Sequence, residues 1–123
     1  RFIGYINDPF SIFSAAEIAV VPSLWNEAFG RVVVEAMACG AAVIATAVGG
    51  MQELFADGKE GVLVRKADAP AIASAINHLC NDQDFLMRLS LAGRQLAETR
   101  YATQRVAADY GAIYSEMLEK KFS

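Results

Sequence analysis

The chain has 123 residues, of which 54% are hydrophobic, so it can bury one core and is too short for two ordinary domains. Its formal net charge is −3 and its 11 lysines and arginines are scattered, which disfavours nucleic acid as a partner. No apolar run approaches the roughly 20 residues that a membrane-spanning helix needs, so we expect no membrane contact from this segment.

The first half of the chain alternates between two periodicities. Short apolar runs rich in β-branched residues are separated from helical patterns by Gly, Pro or Asp, which is typical of an α/β fold. Phe2 to Ile6 is predicted to be a first strand. Asn7-Asp8-Pro9 then offers a cap and a first helical proline for a helix that ends near Ala16.

Two buried strands are predicted next, with a helix between them. Ile18 to Val21 is nearly all apolar, so we expect it to be covered on both faces before the chain leaves the sheet at Pro22-Ser23. Gly30 to Cys39 is predicted to be a helix, and Ala42 to Thr46 the following buried strand.

A short helix, a last strand and a helical tail complete the pattern. Gly49-Gly50 predicts a turn that opens a helix through Phe55, and Gly61 to Val64 is the last predicted strand. Three helical patterns follow, beginning near Asp68, Asp82 and Thr103. Their apolar residues recur at helical spacing and predict core-facing sides: Ile72, Ile76, Leu79, Leu86, Leu89, Val106, Tyr110, Ile113 and Met117.

Residues 22–35 have the local pattern of an anion site. A strand runs out into a loop that turns directly into a helix, and ligands of open α/β sheets bind beyond the carboxyl ends of strands. The free amides and the positive dipole end of the helix attract phosphate, and Gly30 lets the backbone approach it closely.

Two carboxylates flank this helix start. Carboxylates repel phosphate, but each can accept two hydrogen bonds from neighbouring hydroxyls, so a diphosphate with a polyol at both ends suits them. Glu35 lies about five residues into the helix, where side chains lean toward the N-terminus. Glu27, in the loop, is free to address the other end of such a ligand.

The segment from Glu27 resembles the Glu-x7-Glu motif of the large retaining glycosyltransferase family with a GT-B fold, the glycosyl transferases group 1. The similar residues extend along the chain: Phe2 to Gly4, Pro22-Ser23, Glu27-Ala28-Phe29-Gly30, Glu35 to Gly40, Ala42 to Thr46, Gly49-Gly50 with Glu53, and Gly61 to Val64. One departure is Ala42, where the family usually has proline; we expect a softer turn and no effect on the ligand.

The resemblance implies a Rossmann-like parallel sheet with flanking helices, the incomplete C-terminal half of a GT-B fold. It implies one partial domain over residues 1–123, with a nucleotide-sugar donor region at 1–66 and a helical scaffold at 67–123. Glu35 would hold the ribose hydroxyls. Glu27, the candidate catalytic residue, would face the donor sugar together with the backbone of Ala28, Phe29 and Gly30. The amides of Arg31 and Val32 would meet the diphosphate.

The implied reaction transfers a hexose from a nucleotide-diphosphate sugar to an acceptor hydroxyl, with no metal and no cofactor. An N-terminal acceptor-binding domain and the first part of the donor domain are missing from this chain, so we expect the fragment alone to be inactive. We also expect it to pair its strands differently, to oligomerise, or to belong to a longer protein. A sugar-nucleotide epimerase of the same architecture and a non-catalytic binding module are the alternatives.

Simpler interpretations exist for each marked residue. Acidic residues near a helix start often only complement its dipole, and Gly49-Gly50 with Glu53 forms either a plain turn or a second sugar or phosphate contact. Asp82-Gln83-Asp84 imitates a metal-binding pair, but its place at a helix start predicts a cap. His78 is predicted to be at the surface or in packing, and Trp25 either stacks on a ligand or plugs the core.

The two cysteines complete the prediction. Cys39 and Cys80 stand far apart in helical patterns without a second cysteine or a histidine at metal-ligand spacing, so we interpret both as small buried residues. No signal-peptide pattern is present at the N-terminus. The cytoplasm is therefore the expected location, with a peripheral membrane association possible only through the missing domain.

Overall fold

The computed structural model describes residues 1–122 and contains six helices and three strands within that range. In chain order these are α1 (Pro9–Ala15), β1 (Ile18–Val21), α2 (Arg31–Ala38), β2 (Ala42–Thr46), α3 (Met51–Leu54), β3 (Val62–Val64), α4 (Ala69–Asn81), α5 (Gln83–Arg100) and α6 (Thr103–Phe122). All strands precede residue 66 and all the long tail helices follow it. The α/β prediction is confirmed.

The three strands form one parallel sheet in the order β1-β2-β3. Ile18 lies opposite Ala42, and Ile44 lies opposite Val62. Because the strands are parallel and neighbours in sequence, the loops after β1 and β2 leave from the same edge of the sheet. That edge is where the predicted anion site lies.

The central strand β2 is buried on both faces, as predicted, because helices cover it from both sides. On one face Val43 and Ala45 join a core cluster with Val33 and Met37 of α2 and Ala97 of α5. On the other face Ala42 and Ile44 pack with Val64, Leu79 and Leu89. Burial of such side chains contributes roughly 1.5–3 kcal/mol each relative to exposure.

Three helix starts are capped by the aspartates that the sequence offers. Asp8 accepts from the amide of Phe10 at 3.1 Å, Asp68 from Ala71 at 2.9 Å and Asp82 from Phe85 at 2.8 Å. Such a carboxylate satisfies one of the four free amides at a helix start. The predicted starts of α1, α4 and α5 are confirmed.

The strand predicted at Phe2 to Ile6 is wrong. These residues lie outside any helix or strand, Phe2 and Tyr5 are fully or almost fully exposed, and Gly4 has a φ of +70° that interrupts an extended backbone. A strand needs a neighbour for its amides and carbonyls, and no strand lies beside these residues within 1–122. An apolar pattern alone therefore does not make a strand here, because no partner strand lies within residues 1–122.

The burial of β1 is also less complete than predicted. Ala19 is buried, whereas Val20 on the opposite face is 36% exposed. β1 is an edge strand, paired only with β2, and the described residues leave that face partly open. Its position beside β2 is nevertheless as regular as a central strand's, with four residues in register.

The helical tail divides into a packed part and an exposed part. The predicted core positions of α4 and α5 are buried or half-buried, with Leu79 and Leu89 at 0% exposure. In α6 the prediction is wrong: the four apolar positions named above are 39–62% exposed, and α5 is the element against which α6 mainly packs within residues 1–122. Helical periodicity therefore indicated an apolar face but not its burial.

The remaining sequence predictions have mixed outcomes. Cys39 is half-buried and Cys80 is exposed, so burial of Cys80 is wrong; it lies on the outer side of α4. The amide of Ala42 donates to the Glu17 carbonyl at 2.9 Å, a hydrogen bond that proline cannot make. This bond holds the entry to β2, and the softer turn expected for alanine stays a prediction. No helix among the described residues is long and apolar enough to cross a membrane.

Candidate active site

The candidate site is the loop between β1 and α2 together with the first turns of α2. The loop is anchored from β2: the hydroxyl of buried Thr46 donates to the carbonyl of Ser23 at 2.8 Å, and lies 3.5 Å from that of Val21. This bond joins the carboxyl ends of β1 and β2. The loop therefore starts from a fixed point.

The turn after β2 holds the backbone of the same loop. The amide of Gly50 donates to the Glu27 carbonyl at 2.8 Å. A Cβ atom on Gly49 would overlap the Glu27 carbonyl oxygen, and one on Gly50 would overlap the carbonyl oxygen of Ala28. The two glycines are thus needed because two backbones touch here. The sequence left two roles open for these glycines, a plain turn or a direct contact with sugar or phosphate. In the structure they pack against the loop.

The carboxylate of Glu27 is held through one of its two oxygens. Its Oε1 accepts from the hydroxyl of Ser23 at 3.2 Å and from the indole N–H of Trp25 at 2.9 Å. Its Oε2 makes no hydrogen bond within residues 1–122. The side chain is half-buried, so one oxygen is fixed and the other remains available.

Gly30 caps α2 in the left-handed conformation, with φ +82° and ψ +48°. A Cβ atom there would lie 3.1 Å from Leu54 Cδ1 and 3.2 Å from Met51 Cγ. Strain and crowding therefore both select glycine at this position. The glycine brings no side-chain cap, and the amides of Arg31 and Val32 have no acceptor among the described residues.

These amides and the helix dipole make the start of α2 favourable for an anion. Glu35, one turn further, is 22% exposed and its Oε1 lies 3.0 Å from the Nε of Arg31. That contact shows that the carboxylate leans toward the helix start, as predicted. The guanidinium of Arg31 is 84% exposed, so water screens the pair and a ligand can displace it at small cost.

The aromatic residue of the loop packs at the joint between α5 and α6. Phe29 is 47% exposed and meets the ring of Tyr101 edge to face, with centroids 5.6 Å apart. The hydroxyl of Tyr101 donates to the carbonyl of Leu54 at 2.7 Å. Burial of the phenol raises the pKa of Tyr101, against the opposing effect of nearby Arg100. The tail therefore braces the loop.

A cavity of about 290 Å³ adjoins Glu35. Its lining is mainly apolar and comes from α1, α2 and the α5–α6 joint. Glu35 is its one lining group that also belongs to the predicted site. The loop residues Glu27 to Gly30 do not line it.

All the predicted site residues thus lie in one continuous unit, from Glu27 through Ala28, Phe29, Gly30, Arg31 and Val32 to Glu35. Sequence reasoning assigned no supporting role in the site to Ser23, Thr46 or Tyr101, whose contacts span up to 47 residues. A serine at a strand end and a threonine at the end of the next strand are common residues with no distinctive spacing. Only the sheet order shows that they meet.

The other marked residues lie elsewhere. Asp82 caps α5, as predicted, and His78 is exposed and packs against Phe85 with centroids 5.2 Å apart. Trp25 neither plugs the core nor is buried; it is 67% exposed and donates to Glu27. Across residues 1–122, no three His, Cys, Asp or Glu side chains are grouped so that they could hold a metal ion.

Comparison with known proteins gives the family. Residues 1–96 match the family model described as glycosyl transferases group 1. D-inositol 3-phosphate glycosyltransferase of Corynebacterium urealyticum is 37% identical over 107 residues, which are 87% of this chain and 25% of that protein. The chain thus spans about a quarter of the length of this curated relative.

Solved structures agree. HepE of Anabaena, in complex with UDP, superposes with a TM-score of 0.91 at 28% identity over 94% of this chain and 32% of that one. It has also been solved with UDP and glucose and with UDP-glucose. The C-terminal domain of the group 1 glycosyl transferase LpcC from Francisella tularensis gives a TM-score of 0.74 at 34% identity, over 83% of this chain and 53% of that one.

These neighbours are GT-B glycosyltransferases, and the parallel sheet with its flanking helices corresponds to part of their C-terminal domain. This chain therefore belongs to the glycosyl transferases group 1 family.

Proposed function

We propose that residues 1–66 bind the donor in a retaining glycosyltransferase that moves a hexose from a nucleotide-diphosphate sugar to an acceptor hydroxyl. The observation that carries the proposal is the order of groups along one loop and helix. Three groups follow one another beyond the carboxyl ends of β1 and β2. They are Glu27 with one carboxylate oxygen unbonded in residues 1–122, the amides of Arg31 and Val32 without an acceptor there, and Glu35.

The diphosphate belongs at the start of α2. Two negative charges would meet amides that lack an acceptor and the positive end of the helix dipole, while Gly30 leaves the approach free of a side chain. The same groups would stabilise the departing nucleoside diphosphate electrostatically. This mechanism needs no metal and no cofactor.

The two carboxylates belong at opposite ends of the donor. Glu35 lies behind the helix start and would accept from the ribose hydroxyls, with Arg31 moving aside. Glu27 would face the hexose with its free Oε2, beside the backbone of Ala28, Phe29 and Gly30. HepE, 28% identical over 94% of this chain, binds UDP and UDP-glucose, which supports a nucleotide sugar as the partner here.

The rest of the proposal concerns what lies around this donor region. Residues 67–123 form the scaffold, and the acceptor, a sugar, lipid or other hydroxyl compound, binds to an N-terminal domain of a longer protein. The chain alone is then inactive in transfer. We place the protein in the cytoplasm, where nucleotide sugars are available to it.

Product analysis tests the proposal against its alternatives. The full-length natural protein is incubated with UDP-, GDP- and ADP-hexoses and hydroxyl acceptors, and products are followed by NMR. We expect one donor to give a glycoside with the donor's anomeric configuration. A free or nucleotide-linked epimer would indicate an epimerase, an inverted glycoside would exclude retention, and the absence of any product would indicate a non-catalytic module.

A further inference from the structure

We propose that Trp25 is a positioning residue: its indole N–H, with the hydroxyl of Ser23, fixes Oε1 of Glu27 so that Oε2 is presented to the donor sugar. This inference rests on the proposed function, since it assumes that Glu27 faces the hexose. It adds a residue that touches the carboxylate rather than the ligand.

Both donors reach the same oxygen. The indole Nε1 lies 2.9 Å and the serine Oγ 3.2 Å from Oε1 of Glu27. A carboxylate oxygen that accepts two hydrogen bonds cannot rotate freely about its terminal torsion without losing both. The second oxygen, with no hydrogen bond in residues 1–122, therefore has a defined direction.

The backbone beneath this carboxylate is also fixed, so the side-chain bonds decide where the oxygen points. Thr46 holds the carbonyl of Ser23 at 2.8 Å, and Gly50 holds the carbonyl of Glu27 at 2.8 Å. The three residues Ser23, Trp25 and Glu27 thus form one local unit on a rigid support.

Exposure distinguishes this role from core packing. The Trp25 side chain is 67% exposed, and its one polar contact within residues 1–122 is with Glu27. Replacement by phenylalanine removes the N–H donor and keeps an aromatic ring. The fold should therefore be little affected by Trp25→Phe.

The test is a double-mutant cycle in the full-length natural protein. Calorimetric affinities are measured for UDP-glucose, GDP-mannose and ADP-glucose and for UDP, GDP and ADP, with the wild type, Trp25→Phe, Glu27→Ala and the double variant. We expect Trp25→Phe to weaken binding of the sugar nucleotide about three- to tenfold, because a hydrogen bond to a charged group is lost. The affinity for the nucleoside diphosphate should stay unchanged. In the Glu27→Ala background the same substitution should have no effect.

Leu24→Ala is the matched control, because this neighbouring side chain is 54% exposed and has no polar contact with Glu27. It should leave both affinities unchanged. A Trp25→Phe loss that persists with Glu27→Ala, or one that extends to the nucleoside diphosphate, overturns the positioning role. If Trp25→Phe has no effect while Glu27→Ala weakens sugar-nucleotide binding, the positioning role is overturned and the proposed function stands. No effect of Glu27→Ala, or no nucleotide binding at all, overturns the proposed function with it.

Discussion

At the scale of single residues, the site depends on groups that the sequence shows and on contacts that it does not. Gly30 could be identified because a strand, a glycine and a helix in succession predict an anion site, and Glu27 and Glu35 from their resemblance to the Glu-x7-Glu motif. The hydrogen bonds of Glu27 to Ser23 and Trp25 could not, since they depend on loop torsions that no periodicity encodes. Trp25 consequently had two predicted roles, and the structure gives it a third.

Gly30 offers a prediction about strain and crowding. Gly30→Ala should destabilise the protein by about 2–3 kcal/mol, because the new Cβ meets Leu54 and Met51 in a backbone conformation that alanine rarely adopts. Gly58→Ala is the control: its φ is +73°, but a Cβ there meets nothing within 4 Å. Chemical denaturation should show a loss of only about 1 kcal/mol for Gly58→Ala. Equal losses would mean that crowding at Gly30 is unimportant.

Thr46 offers a second residue prediction, on the anchor of the loop. Thr46→Val keeps the shape of this buried side chain and removes its hydroxyl, leaving the Ser23 carbonyl without its donor. We expect a loss of about 1–2 kcal/mol in the free energy of unfolding and weaker binding of the sugar nucleotide. Thr46→Ser, which keeps the hydroxyl, serves as the control for binding. Weakening by Thr46→Ser but not by Thr46→Val would show that the hydroxyl does not hold the loop.

At the scale of elements, periodicity and capping residues predicted most of the helices and strands. The aspartates at positions 8, 68 and 82 begin helices because each carboxylate satisfies an amide locally, so no distant residue is needed. Phe2 to Ile6 and the apolar face of α6 could not be predicted in the same way. Their state depends on what lies beside them: within residues 1–122 no strand pairs with Phe2 to Ile6, and the apolar positions of α6 stay largely exposed.

The acidic pair Asp82 and Asp84 at the start of α5 can be tested for a structural role against a metal-binding one. Asp82→Ala should lower stability by about 1 kcal/mol, because the amide of Phe85 loses its acceptor. Asp84→Ala should change stability by a few tenths of a kcal/mol, because Asp84 lies in the first turn of α5 and contributes only through the helix dipole. Thermal unfolding measures both. Loss of donor binding in either variant would contradict a purely structural role.

The cap of α4 gives a pH dependence. The hydrogen bond from the amide of Ala71, and then Arg65, hold the pKa of Asp68 below its ordinary value. A depressed folded-state pKa means that this contribution to stability is present above the unfolded pKa of about 3.9 and is lost as pH falls through the lower folded value. Between pH 5 and 2 the free energy of unfolding should therefore fall more steeply with decreasing pH for the wild type than for Asp68→Asn. Identical profiles would show that the cap contributes nothing through its charge.

At the scale of the whole molecule, the sheet order explains why two distant glycine motifs act together. The parallel pairing of β1 with β2 places the loop after each strand at the same edge, where Gly50 holds Glu27. The family resemblance implied a parallel sheet but not this contact between the two loops, while composition alone indicated only one core without a basic surface. The chain spans about a quarter of the length of the first curated relatives it matches, and the proposed acceptor site lies outside this chain.

The central claim is a polarity along one ligand: nucleoside at Glu35, diphosphate at the start of α2 and hexose at Glu27. Calorimetric titration of the full-length natural protein with a nucleoside diphosphate and its sugar, using Glu35→Ala and Glu27→Ala, tests it most directly. Glu35→Ala should weaken both ligands by about 1–3 kcal/mol, whereas Glu27→Ala should weaken only the sugar nucleotide. Unchanged binding by Glu35→Ala, or equal weakening of both ligands by Glu27→Ala, would contradict the account.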